Sequence, residues 1–172
     1  MKRLFIALFS IVLLVSFSSV VSAKTIAVVD LEKAMHNCIA GKKAKKEIEK
    51  LVEAKKVVID RKVNRLQQLA RELRNSKLSK KLKDKKALSY QEKAKELERY
   101  KADAADEVRT KERELSTKVI NDLIEVIKKY ATTHKIDAVF ETHQGLIYWN
   151  DALDITQSII KMYDAQYLKS KK

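Results

Sequence analysis

Proline is absent from the 172 residues, and glycine occurs only at Gly41 and Gly145. Both residue types interrupt helices, so a chain almost without them can run very long ones. A compact α/β enzyme of this length needs more glycine for its turns. Cysteine occurs once, at Cys38, which excludes an internal disulfide and leaves stability to packing. Cys38 reads as a small, half-buried residue near a helix start. Neither a glycine-rich phosphate loop nor a G-x-S-x-G nucleophile elbow is present. Beyond residue 23, no apolar run approaches the roughly 18 residues that a membrane span requires.

Charge is abundant instead. Asp, Glu, Lys and Arg make up 35% of the chain, above the share of about a quarter usual in globular domains. The net charge of +14 is segregated, because residues 42–129 hold 28 Lys/Arg against 16 Asp/Glu while the flanks after residue 23 are balanced. A basic field of this kind attracts acidic partners and weakens with salt.

The first residues indicate the compartment. Lys2 and Arg3 precede an apolar stretch from Leu4 to Val15, broken only by Ser10, and Val21-Ser22-Ala23 supplies a small-x-small exit. That is the anatomy of a cleavable secretory signal peptide over residues 1–23, which places the remaining chain in the periplasm.

Three regions follow. Residues 25–30 (T-I-A-V-V-D) read as a strand with apolar residues on both faces, hence buried from both sides. After Gly41, apolar residues from Ile48 to Leu73 recur at steps of three, four and seven, an amphipathic, coiled-coil-like stripe interrupted by Lys55 and Lys62. Residues 75–86 carry six lysines and one acid and read as the turn between two antiparallel helices. The second helix brings Leu97, Ala104, Val108, Leu115, Val119, Leu123, Val126, Ile127 and Tyr130, a stripe that strengthens towards its end. The arm is thus expected to be tight at its base and loose near its tip.

After His134 the period changes to two. Residues 136–141 (I-D-A-V-F-E) and 146–150 (L-I-Y-W-N) read as a β-hairpin around a turn at residues 142–145. Asp154 or Thr156 then caps a last helix. The expected class is α+β. Residues 24–41 and 130–172 form a small β-rich body from one N-terminal strand plus the C-terminal hairpin. Residues 42–129 form a long helical arm with its tip near 75–86. Some sixty residues of body bury too little surface to be comfortable alone, and the open strand edges need cover. A cyclic homo-oligomer closed through Ile26, Val28, Val139, Leu146 and Tyr148 answers both needs.

Enzymatic readings find little support. His36, Cys38, His134 and His143 match no familiar metal spacing, so no catalytic residue, metal or cofactor is expected. A basic coiled coil also suggests nucleic acid, but the signal peptide and the scarcity of aromatics on the arm argue against it. Tyr148 and Trp149 read as core or interface anchors rather than a peptide site. The lysines of the tip fit either a solvated turn or a contact with lipopolysaccharide or anionic lipid.

Residues 26–33 (I-A-V-V-D-L-E-K), followed by 40–44 (A-G-K-K-A), resemble the opening of the Skp/OmpH-like periplasmic chaperones. Residues 136–140, 146–148 and 154–156 resemble that family's ending. The resemblance covers the chain from residue 24 in order; the arm matches in character only. It implies a homotrimer shaped like a jellyfish, whose arms enclose a cavity for unfolded outer-membrane proteins without using ATP. Lys55, Lys62, Lys77, Lys80, Lys81, Lys83, Lys85 and Lys86 are the candidates for holding clients or an anionic surface. An exported structural or adaptor coiled coil on the envelope surface is the alternative.

Overall fold

The computed structural model describes residues 24–74 and 78–170. The expected signal peptide and Lys77 lie outside the described residues.

Strand β1 (Ile26–Val29) is followed by a short helix α1 (Leu31–Asn37) and two long helices, α2 (Ile39–Leu73) and α3 (Lys80–His134). Strand β2 (Ala138–Glu141), a 3-10 turn (Asp151–Leu153) and helix α4 (Thr156–Lys169) complete the chain. At about 1.5 Å per residue, α2 extends roughly 50 Å and α3 roughly 80 Å.

The apolar quartet of β1 pairs in parallel with β2, from Ile26↔Ala138 to Val29↔Glu141. Both long helices form the crossover that a parallel pair requires. On its other side β1 meets an isolated bridge, Val28↔Asp154, and the Ile155 amide donates to the Val28 carbonyl at 3.0 Å. Flanked on both sides, Ala27, Val28 and Val29 are buried, as their sequence implies.

The expected C-terminal hairpin is not formed. Residues 142–145 make a turn, with Gly145 at φ 88°, but residues 146–150 form no strand. β2 pairs with β1 in parallel along one edge, its other edge takes no strand among the described residues, and no backbone hydrogen bond within the described residues reaches residues 146–149. The alternation of L-I-Y-W-N is real, and Leu146 and Trp149 are half-buried, yet no strand among the described residues pairs with it. Ile147 is 99% exposed and Tyr148 83%.

The core sits where α1, the near ends of α2 and α3, and α4 meet. Leu123 and Ile159 are fully buried there, packed with Val29, Val119, Val126 and Ile160; each such side chain contributes on the order of 2 kcal/mol. Thr156 is buried as well, and its hydroxyl accepts from the Asp30 amide at 2.9 Å.

Side chains secure the starts of α1 and α2. Asp30 caps α1 by accepting from the Lys33 amide at 2.7 Å. Cys38 is wholly buried rather than half-buried, because its thiol caps α2. The sulfur accepts from the Gly41 amide and donates to the Met35 carbonyl, both at 3.3 Å. From α4, the Asp164 carboxylate accepts from the Ile39 amide at 2.7 Å. At the other end of the arm, α3 begins at Lys80 and not beyond residue 86. Lysine is a good helix former, and Lys80 to Lys86 therefore ride on the first turns of α3. Helix α3 ends at Lys135 in the left-handed conformation. Neither Asp154 nor Thr156 caps the last helix: its N-cap is Ile155, with no side-chain cap hydrogen bond, and Asp154 accepts instead from the amide of Thr156 at 2.8 Å. Among the described residues no helix is long and apolar enough to cross a membrane.

Candidate functional site

Charged side chains bridge α2 and α3 along their length. Glu47 pairs with Lys111 at 3.3 Å; further out, Lys55 pairs with Glu107, Lys62 with Glu96 and Glu72 with Lys86. The partners climb α2 as they descend α3, so the rungs also record the direction of pairing. Between them the apolar seam is thin. Leu69, Leu97 and Ala104 are the buried apolar residues of the outer arm among those described, against Val119, Leu123 and Val126 at the base.

Lys55 and Lys62 therefore do more than interrupt a stripe. Their ammonium groups lie 6.0 and 5.4 Å from the ring centre of Tyr100, within reach of the attraction between a cation and an aromatic face. The bond to Glu107 lifts the Lys55 pKa above the ordinary lysine range, and the bond to Glu47 does the same for Lys111. Lys62 lowers the Glu96 carboxyl and Lys86 lowers that of Glu72, chiefly through the hydrogen bonds they donate. A charged seam has a consequence that an apolar one lacks, because salt loosens it. In a Lys55→Ala, Lys62→Ala variant, amide exchange over the middle of α2 and α3 is expected to accelerate a few-fold while the base keeps its protection. High salt should act on the unaltered protein in the same direction; hydrogen–deuterium exchange reads both.

Among the other expected site residues, Lys80, Lys81, Lys83 and Lys85 are exposed and have no ion-pair partner among the described residues. Lys86 is held by Glu72. Among the described residues the tip thus splits into one tethered lysine and four without an ion-pair partner, set at the positive end of α3. A groove of about 620 Å³ beside the Lys55 rung is lined by Val52, Ile59, Ala104 and Val108, with Lys101 and Arg109 at its rim.

In the body, Ile26 is 44% exposed and Val139 half-buried, whereas Val28 is enclosed within the chain. Leu146 is half-buried and Tyr148 projects. Sequence reasoning missed Ile147 and Phe140, which is 47% exposed on β2. Tyr163 donates to Asp122 at 3.0 Å, tying α4 to α3; burial, with that carboxylate beside it, holds its phenol well above the usual tyrosine range. Burial likewise pushes the Cys38 thiol up, so Cys38 is a structural residue and not an activated nucleophile.

With this geometry in place, three comparisons bear on kinship. The family model described as "Outer membrane protein (OmpH-like)" matches residues 25–163. An uncharacterized protein of Aquifex aeolicus (strain VF5) is 30% identical over 164 residues, covering 95% of this chain and 97% of that protein. A crystal structure from Caulobacter crescentus CB15, assigned as an outer membrane chaperone (OmpH-like), shares the fold. It superimposes with a TM-score of 0.77 at 17% identity, over 84% of this chain and 86% of the other. The chain belongs to the OmpH-like outer membrane protein family.

Proposed function

We propose that this protein is an ATP-independent periplasmic holdase that shelters unfolded outer-membrane β-barrel proteins on their way to assembly. The observation that carries the reading is the arm. Two long paired helices bear nearly all the excess positive charge, and their outer seam rests on ion pairs more than on packing. Membership of the OmpH-like family, and a fold shared with a crystal structure assigned as an outer membrane chaperone (OmpH-like), support it.

The physics of the task fits. An unfolded barrel protein exposes strand edges and alternating apolar residues, which invite cross-β aggregation. A holder without an energy source must bind such a chain weakly at many points. The free lysines Lys80, Lys81, Lys83 and Lys85 draw in acidic segments over long range. Lys55 and Lys62, whose glutamate partners are exposed, can exchange them for client carboxylates at modest cost, since pairs open to solvent are individually weak. Exposed Val52, Val57, Leu82 and Leu88 add scattered apolar contacts. Client folding elsewhere then drains the complex by mass action.

In this reading residues 24–41 and 130–172 form the oligomerisation body, residues 42–129 form an antiparallel coiled-coil arm, and three copies enclose the client. Residues 146–149 support that assembly, because among the described residues no backbone hydrogen bond reaches them, and Ile147 and Tyr148 are exposed.

The test is dilution of a urea-unfolded outer-membrane barrel protein into the chain from Lys24 onward, without nucleotide, followed by light scattering. Suppression near one oligomer per client, weakening as salt rises, is the expected result. Absence of suppression at both low and high salt, from a folded oligomer, overturns the reading. The four free lysines at the tip favour a second one, an adaptor on anionic lipid or lipopolysaccharide. It becomes the leading hypothesis if the protein sediments with anionic vesicles yet leaves aggregation unchanged.

A further inference from the structure

The two strands of the body run parallel and end side by side, Val29 facing Glu141. Three potential ligands gather at that end. Asp30 follows β1, Glu141 closes β2, and His143 returns over them from the turn. One ligand atom from each lies within 4.8 Å of the others, and the His143 Nε2 is 3.5 Å from Asp30 Oδ2. From this juxtaposition we propose that Asp30, Glu141 and His143 form a divalent-cation site at the carboxyl end of the sheet, suited to zinc.

Both carboxylates are oriented by the backbone. Asp30 Oδ1 accepts from the Lys33 amide and Glu141 Oε2 from the His143 amide, each at 2.7 Å. One oxygen of each is thereby fixed and the other left to the cluster, the way outer partners aim metal ligands. Charge points the same way. The chain carries +14, yet among the described residues neither half-buried carboxylate has a lysine or arginine partner. Negative charge held partly away from water without a cation is costly, and an imidazole 3.5 Å away answers it only when protonated. A bound cation answers it at any pH where the imidazole is neutral. Thr142, between two of the ligands, is buried with its Oγ1 lacking a hydrogen-bond partner, a further polar group left unsettled in the same turn.

The donor set selects the ion. Two carboxylates and an imidazole are harder than the thiolate sites of structural zinc and softer than the all-oxygen cages of calcium, which leaves zinc and its neighbours. Bonds of about 2.0–2.2 Å place ligand atoms about 3.3 Å apart, so the cluster must contract. The exposed His143, two residues before Gly145 at φ 88°, sits on the part best able to move. Three protein ligands leave a fourth position to water or to a donor from another molecule. The ion ties the turn at residues 142–145 to the start of α1, which pins the exit of β2 and with it the exposed 146–150 segment.

Zinc is titrated into the chelator-stripped protein while the histidine imidazole resonances and the melting temperature are followed. The expected result is one zinc per chain, displacement of the His143 resonances ahead of those of His36 and His134, and a raised melting temperature that chelator reverses. Asp30→Asn preserves the helix cap, since asparagine caps as well as aspartate, and His143→Gln alters an exposed side chain. Each is expected to weaken binding about tenfold or more, the scale on which metal sites respond to altered ligation. His36→Gln removes the other histidine that faces a carboxylate, Glu32 at 3.9 Å, and is expected to leave binding unchanged. Undiminished affinity in His143→Gln, or shifts confined to His36 and His134, overturns the proposal, as does the absence of binding.

Discussion

Replacing Gly41 with alanine is expected to destabilise the protein by about 3 kcal/mol or more, the upper range for forcing atoms into a packed site. The sign runs against helix propensity. Gly41 lies in the first turn of α2, and alanine is favoured over glycine within a helix by about 1 kcal/mol. The difference lies in what surrounds the position. A Cβ on Gly41 would overlap the carbonyl oxygen of Met35 in the preceding helix, with its carbonyl carbon 2.9 Å and the Cys38 sulfur 3.3 Å away. Backbone cannot swing aside as a side-chain end does. The Met35 carbonyl also accepts from the Cys38 thiol, and that sulfur accepts from the Gly41 amide. Displacement therefore breaks the cap of α2 together with the turn from α1. Thermal unfolding should show a fall of roughly 10 °C, at the 2–4 °C per kcal/mol usual for a chain of this size. Gly145→Ala is the contrast. Nothing lies within 4 Å of its added Cβ, and only the positive φ resists, at about 1–2 kcal/mol. An unchanged or higher melting temperature for Gly41→Ala would mean that α1 and α2 do not meet as described.

Much of this architecture is legible in the sequence because it is local. Freedom from proline permits the long helices, and the stripe through Val119, Leu123 and Val126 marks the face that becomes core. The apolar run at residues 26–29 does become a strand, buried at Ala27, Val28 and Val29 but exposed at Ile26. What local reading misses is always a partner distant in the chain. Residues 138–141 and 146–150 alternate as a hairpin does, but β2 finds its neighbour in β1, over a hundred residues earlier. Lys55 and Lys62 look like flaws in the α2 stripe until Glu107 and Glu96 are seen facing them from α3. The lysines of residues 80–86 look like turn because repulsion and a weak stripe are visible locally, while the tether to Glu72 is not. The Asp30, Glu141 and His143 cluster has no linear spacing to recognise, since the fold alone brings position 30 beside position 141.

The second large effect is expected at that same unpaired segment. If the proposed oligomer closes through this segment, an Ile147→Asp, Tyr148→Asp variant should be monomeric and should lose the proposed ability to suppress client aggregation. The single chain has little stake in either side chain, at 99% and 83% exposure, and exposed substitutions usually change stability by no more than about 0.5 kcal/mol. The proposed assembly has a great deal at stake. Each buried square ångström of apolar surface contributes about 25 cal/mol, and a strand formed across a subunit boundary would satisfy main-chain groups at residues 146–149 that have no hydrogen-bond partner among the described residues. Two aspartates per copy, repeated around a closed ring, would set like charges against one another where apolar side chains should meet. Light scattering coupled to size-exclusion chromatography gives the mass, and circular dichroism checks that the helices persist. If the variant keeps the mass of the unaltered protein, the exposed segment is no interface. If it is monomeric and helical yet still holds clients, the arms work singly, and the cavity between copies is not what shelters the chain.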